Sequence, residues 1–132
     1  MPSKQEELRE RSKSFALRSI RLLESLPRGA PPSALRTQFL RSATAVAANY
    51  RATGRARSKK EFASRLSVVV EEADETVFWL ELMMELGNSD EIRSLLKEAH
   101  ELLAIFAASH RTVTIGPRRD SAKRTPDDPM AR

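Results

Sequence analysis

Two histidines, His100 and His110, are the side chains best suited to proton transfer or metal ligation near neutral pH, and neither has neighbours that would put it to work. A di-iron centre in a four-helix scaffold takes a Glu from each of two helices and a Glu-x-x-His pair from each of the other two. Here the residues three places before the histidines are Lys97 and Ala107, so that spacing is missing. The chain has no Cys, which removes disulfides, thiolate catalysis and Cys-based zinc sites. Gly54 and Gly116 stand alone and make no phosphate-cradling loop. A nucleophile and base would have to join a Ser to His100 or His110 with no pattern to support the pairing. Glu71, Glu72, Asp74 and Glu75 could gather a divalent cation on paper, but acids crowded along a helix are more commonly a solvated face or the partners of nearby cations. The sequence therefore predicts a non-enzymatic protein with no catalytic, cofactor or metal site.

The chemistry that does stand out is charge. Residues 32–60 carry seven basic side chains and no acid: Arg36, Arg41, Arg51, Arg55, Arg57, Lys59 and Lys60. Residues 61–87 then carry seven acids against Arg65 alone, so a basic stretch leads directly into an acidic one. Two readings stay open. The charges can pair across the seam of adjacent helices, each exposed pair contributing less than about 1 kcal/mol. Alternatively, the base-rich corner at 51–60 projects outward and, with Arg36 and Arg41, grips the phosphates of RNA or DNA. Tyr50 is the one aromatic near that corner, which argues against base-specific stacking on a single strand. The alternative partner for such a corner is an acidic protein, making the chain an interaction adaptor.

Two further groups call for an explanation. Asn49, Glu72 and Glu75 lie beside apolar stripes, and a carboxylate drawn toward a core needs a partner. They are predicted to form a polar clamp between helices, with Asn49, Arg41 or Arg51 supplying the partner. Residues 77–86 are apolar around almost the whole helical circumference, more than one buried face explains. Phe78, Trp79, Leu82 and Met83 are therefore expected at a subunit interface, where aromatics and Met are enriched.

The elements that must position these groups are helices. Ser3-Lys4-Gln5-Glu6 and Ser58-Lys59-Lys60-Glu61 have the capping-box form that starts a helix. The first box leads into Leu8, Phe15, Ile20, Leu22, Leu23 and Leu26, ended by Pro27, Gly29, Pro31 and Pro32. A second helix starts near Pro32-Ser33 and carries Leu35, Phe39, Leu40, Ala43, Val46, Ala47 and Tyr50. The third runs through Phe62, Leu66, Val69, Val70, Ala73, Val77, Leu80 and Met84 to Gly87, placed as a left-handed C-cap. Asn88 and Glu91 are expected to cap a fourth helix, with Ile92, Leu95, Leu96, Ala99, Leu102, Leu103 and Phe106 as its stripe. Short connections favour an all-α, antiparallel up-down-up-down four-helix bundle over residues 1–111. Residues 112–132 combine three prolines with basic residues and few large apolar ones, and are expected to form a disordered basic tail.

Bulk composition agrees. A chain of 132 residues suits one domain, and 40% apolar with 31% charged residues is a globular balance. No apolar run reaches the roughly 20 residues of a membrane span, and the charged N-terminus lacks the apolar core of a signal peptide. The net charge of +5 favours anionic partners, and the absence of Cys suits the cytoplasm.

The residues also carry a resemblance. Residues 35–50, Leu-Arg-Thr-Gln-Phe-Leu-Arg-Ser-Ala-Thr-Ala-Val-Ala-Ala-Asn-Tyr, look like the second helix of the bacterial four helix bundle proteins, also called 23S rRNA intervening-sequence or S23-like proteins. Ser58-Lys59-Lys60-Glu61-Phe62 resembles the Ser-x-x-Glu-Phe that opens that family's third helix, and Glu75 and Leu86-Gly87 fall on its later markers. The similarity spans roughly residues 8–110. It departs at Asn49-Tyr50-Arg51-Ala52-Thr53-Gly54, where the family's Asn-x-x-Glu-Gly acid is absent and the corner is more basic. The resemblance implies a protomer of a homopentameric ring with no assigned activity. In a related group, the accessory proteins of diversity-generating retroelements, it implies binding to nucleic acid and to a reverse transcriptase.

Overall fold

Ser3, Ser58 and Ser89 start three helices in the same way. Each sits in extended backbone, and each side-chain oxygen accepts from the amide three residues on: Glu6 at 3.1 Å, Glu61 at 3.0 Å and Ile92 at 3.1 Å. One of the four orphan donors of each helix start is satisfied this way. The structure is a computed structural model, described over residues 1–116. Its helices are α1 Lys4–Ser25, α2 Ser33–Thr53, α3 Lys59–Leu86 and α4 Asp90–Ile115. α2 begins differently: Pro32 precedes it with φ −54°, already close to the helical value, and no side chain caps the first turn.

Several expected boundaries shift. Ser89, not Asn88, caps α4, while the Asn88 carbonyl oxygen accepts from Arg93 at 2.9 Å. Gly87 is extended at φ −171°, not left-handed, although its amide still donates to Met83 O at 2.9 Å. α4 continues through Ile115, past the expected boundary at 111, because Thr112 and Thr114 turn their hydroxyls back onto the carbonyls of Ala108 and His110. The remainder of the expected disordered tail, residues 117–132, lies outside the described residues.

Two arginines close helix C-termini that no glycine closes. Arg36 donates to Leu23 O at 2.5 Å and to Pro27 O at 3.5 Å, beyond the end of α1. Arg65 donates to Ala52 O at 3.1 Å in the last turn of α2 and to Glu61 Oε1 at 2.8 Å. Carbonyls at a helix end lack intrahelical partners and carry the negative end of the macrodipole, so a guanidinium suits them.

The ion pairs give the direction of packing. Arg11 meets Glu98 while Arg18 meets Glu91, and Arg41 meets Glu72 while Arg65 meets Ala52 O, so each helix runs against its neighbour. α2 packs on α1 and α3, α4 packs on α3, and a sparser α1–α4 seam closes the ring. This is the up-down-up-down, all-α bundle. α3, at 28 residues, extends about 42 Å at 1.5 Å per residue.

The core stacks Phe15, Phe39, Leu66, Leu80, Leu95 and Phe106, all fully buried, with Tyr50 tilted against Phe106 at 5.0 Å between ring centroids. Ser12, Ser19, Ser42, Thr53 and Thr76 are buried among them. Each hydroxyl donates to a carbonyl one turn back or, for Thr76, also lies 2.9 Å from Ser42 Oγ on α2, so none is left unsatisfied. Ile20, expected in the core stripe of α1, stands on the surface, because α1 turns its Leu8, Phe15, Leu22 and Leu23 face inward instead.

Candidate nucleic-acid interface and subunit face

The α2–α3 hairpin brings the last turn of α2 and the first turn of α3 together at one end of the bundle, joined by residues 54–58. Arg51 and Arg55 are four residues apart and share the outer side of this end, with Arg57, Lys59 and Lys60 following. All five are exposed. Arg51, Arg55, Lys59 and Lys60 form no ion pair among the described residues. Arg57 has one long contact, 3.7 Å to Glu61, and its side chain is 90% exposed. Glu61 is engaged from behind: it takes the Arg57 amide and the Arg65 side chain, which hold its carboxyl below the usual carboxylate range.

Arg36 and Arg41, the other two predicted phosphate contacts, are not part of this cluster. Arg36 is spent on the end of α1. Arg41 lies two turns nearer the middle of α2 and binds Glu72 at 3.2 Å and Glu75 more closely still. The hydrogen bond to Glu75 is the main reason its guanidinium holds its proton more firmly than usual. Tyr50 is buried, and desolvation pushes its phenol above the usual value, so it offers no stacking surface.

The expected polar clamp is built around Arg41. It reaches from α2 to Glu72 and Glu75 on α3, and Trp79 Nε1 donates to Glu75 at 3.2 Å. Asn49 is half-buried two turns away and makes no side-chain hydrogen bond among the described residues. Sequence reasoning missed a second bridge. Arg11 is bidentate on Glu98 at 2.7 and 2.8 Å and also reaches Glu101, joining α1 to α4. No local spacing announces that pair, since its members are 87 positions apart.

The expected subunit face divides. Phe78 is 51% exposed and tilts against Trp79 at 5.0 Å, and Leu82 and Leu86 continue its line along the outside of α3. Ala34, Leu35 and Gln38 of α2 form the opposite wall of an apolar groove floored by Trp79, Leu82 and Leu86. Met83 is only 1% exposed and belongs to the core, a correction to its expected place in the interface. The helix turns 100° per residue, so Met83 lies on the opposite side from Phe78 and Leu82. No helix among the described residues is long and apolar enough to cross a membrane.

The fold and its surfaces define a non-membrane-spanning four-helix bundle protomer with an exposed basic hairpin and an uncovered apolar ridge. The profile of the 23S rRNA-intervening sequence proteins matches residues 4–108, and the chain belongs to that family. A crystal structure from Bacteroides thetaiotaomicron, of a protein of unknown function from the S23 ribosomal protein family, superposes with a TM-score of 0.75 at 27% identity, covering 83% of this chain and 100% of that one. No curated protein matches.

Proposed function

We propose that the chain is a non-enzymatic, homo-oligomeric scaffold of the cytoplasm that binds nucleic acid through its α2–α3 corner. The observation that carries the reading is the set Arg51, Arg55, Arg57, Lys59 and Lys60: five exposed cations at one end, four of them in no ion pair among the described residues. Charges in that state stay hydrated until an anion arrives, and their effect on a polyanion comes from releasing its condensed counterions. Without an exposed aromatic, the corner contacts phosphate as point charges and carries no sequence readout. Arg36 and Arg41 drop out of the binding set, because each already serves the bundle.

The oligomeric half of the reading rests on the α3 ridge. Phe78, Leu82 and Leu86 make a continuous apolar strip beside an apolar groove, which is favourably removed from water by a neighbour.

The test is binding of duplex DNA and of RNA by the intact chain and by a variant with all five corner residues changed to Gln, across a salt series. The intact chain is expected to lose affinity steeply as salt rises, by about 0.9 in log K per log salt for each duplex phosphate neutralised. The variant is expected to bind at least tenfold more weakly, with a shallower slope. Unchanged affinity at low salt would refute the nucleic-acid half. Recovery of an acidic protein partner from a nuclease-treated extract, lost in the same variant, would replace it with the adaptor reading. Light scattering at micromolar concentration giving the monomer mass of 14.9 kDa would refute oligomerisation.

A further inference from the structure

The bundle carries a second uncovered apolar strip, and its charge is opposite to that of the first. On α1, Leu17 is 42% exposed and Ile20 37% exposed, and Leu40 of α2 lines the groove beside Ile20. Lys13 and Arg21 stand one turn on either side of Leu17, both exposed and both without an ion pair among the described residues. Residues 11–23 contain no acid; Glu24, at the edge of the groove, is the nearest. The α3 ridge is the converse. Residues 66–86 contain no base, and Glu71, Asp74, Glu81 and Glu85 flank Phe78 and Leu82, exposed and in no ion pair among the described residues.

From this pairing of shape and charge we infer that copies of the chain associate head to tail, the acidic ridge of α3 in one copy seating against the basic strip of α1 in the next. The inference rests on the oligomeric reading above and specifies its geometry. A two-fold interface of ridge on ridge would set four carboxylates against four, and strip on strip would set cations against cations, both repulsive. Only ridge on strip buries both apolar strips with their charges complementary. Both surfaces lie in the half of the bundle away from the hairpin: Arg18, beside Leu17, pairs with Glu91, just past the α3–α4 connection that the ridge approaches. The contact therefore leaves the corner at 51–60 uncovered. Because each copy presents one surface of each kind, the contact repeats until it closes or runs on as a chain.

Two variants made at exposed positions test this, with helical content checked by circular dichroism. F78S/L82S removes the ridge and L17E/R21E removes the strip. The wild-type chain is expected to assemble and each variant alone to run at 14.9 kDa. Mixed in equal amounts, the variants retain one intact ridge and one intact strip between them and are expected to form a heterodimer of twice that mass. A charge-only pair gives an independent reading: K13E/R21E is expected to weaken assembly, and adding E81R/E85R to the same chain to restore it. If wild type assembles but the strip variants assemble equally well, or the mixture gives no heterodimer, or the charge reversal is not rescued, the head-to-tail pairing is overturned while the oligomeric reading stands. A monomeric wild type overturns both.

Discussion

Ser89 and Asn88 show how narrowly a single residue decides a helix start. Both have capping side chains, and both stand before an acidic first turn. Only Ser89 has its oxygen on the amide three residues ahead; Asn88 instead takes Arg93. Ser89→Ala is expected to cost about 1 kcal/mol in urea unfolding and Asn88→Ala only a few tenths. Equal costs would show that the two share the cap. Glu98 is the residue whose titration bears on stability. The hydrogen bond from Arg11 holds its carboxyl below the usual range, against a smaller opposing effect of burial. A lowered folded-state pKa stabilises the fold above the unfolded value, near 4.5, and that contribution is lost as pH falls through the lower folded value. Arg11→Gln should therefore lower the melting temperature at pH 7, by a few degrees for a loss of about 1 kcal/mol, and have a clearly smaller effect at pH 3. The same depression at both values would mean that the pair contributes no pH-dependent stability.

At the scale of elements, the helices were legible because each carries a 3.6-residue apolar period bounded by Ser, Pro or Gly. α2 is the helix whose small residues matter most. Ala43 is fully buried, and Ser42 reaches the Thr76 hydroxyl across the α2–α3 seam. A larger side chain at 43 has no space to enter, so Ala43→Leu is expected to destabilise the bundle by about 1–3 kcal/mol in chemical denaturation, whereas Ala48→Leu, on the exposed side of α2, should be near neutral. Comparable losses at both positions would remove close α2–α3 approach as the cause. The charge segregation that was so plain in sequence turns out to serve both readings. Arg41 with Glu72 and Glu75 is the paired seam, and the 51–60 turn is the unpaired remainder.

For the whole molecule, the antiparallel bundle separates the two surfaces in space. The basic corner lies at the α2–α3 end, and the ridge and strip lie in the opposite half. The corner variant with five Gln substitutions is accordingly expected to keep the wild-type assembly mass by light scattering, while the ridge variant F78S/L82S should keep a monomer's weak binding to DNA. A corner variant that falls apart would show that the two surfaces are one.

The helical class, the four elements, most of the core and the base-rich hairpin were determined by local sequence, because capping, apolar period and charge are properties of neighbours along the chain. What only the tertiary structure decided is which charges are already spent and which apolar residues are covered. Arg36 and Arg41 look identical to Arg51 and Arg55 in sequence, yet the first two meet a helix end and a carboxylate pair contributed by other elements. Met83 and Leu82 are adjacent, and one is core while the other is surface, because the 100° helical step divides them between opposite faces. The bridge from Arg11 to Glu98 and the exposure of Leu17 and Ile20 likewise depend on how α1 is rotated against α2 and α4. That rotation is set by the packing of all four helices at once, and no local spacing encodes it.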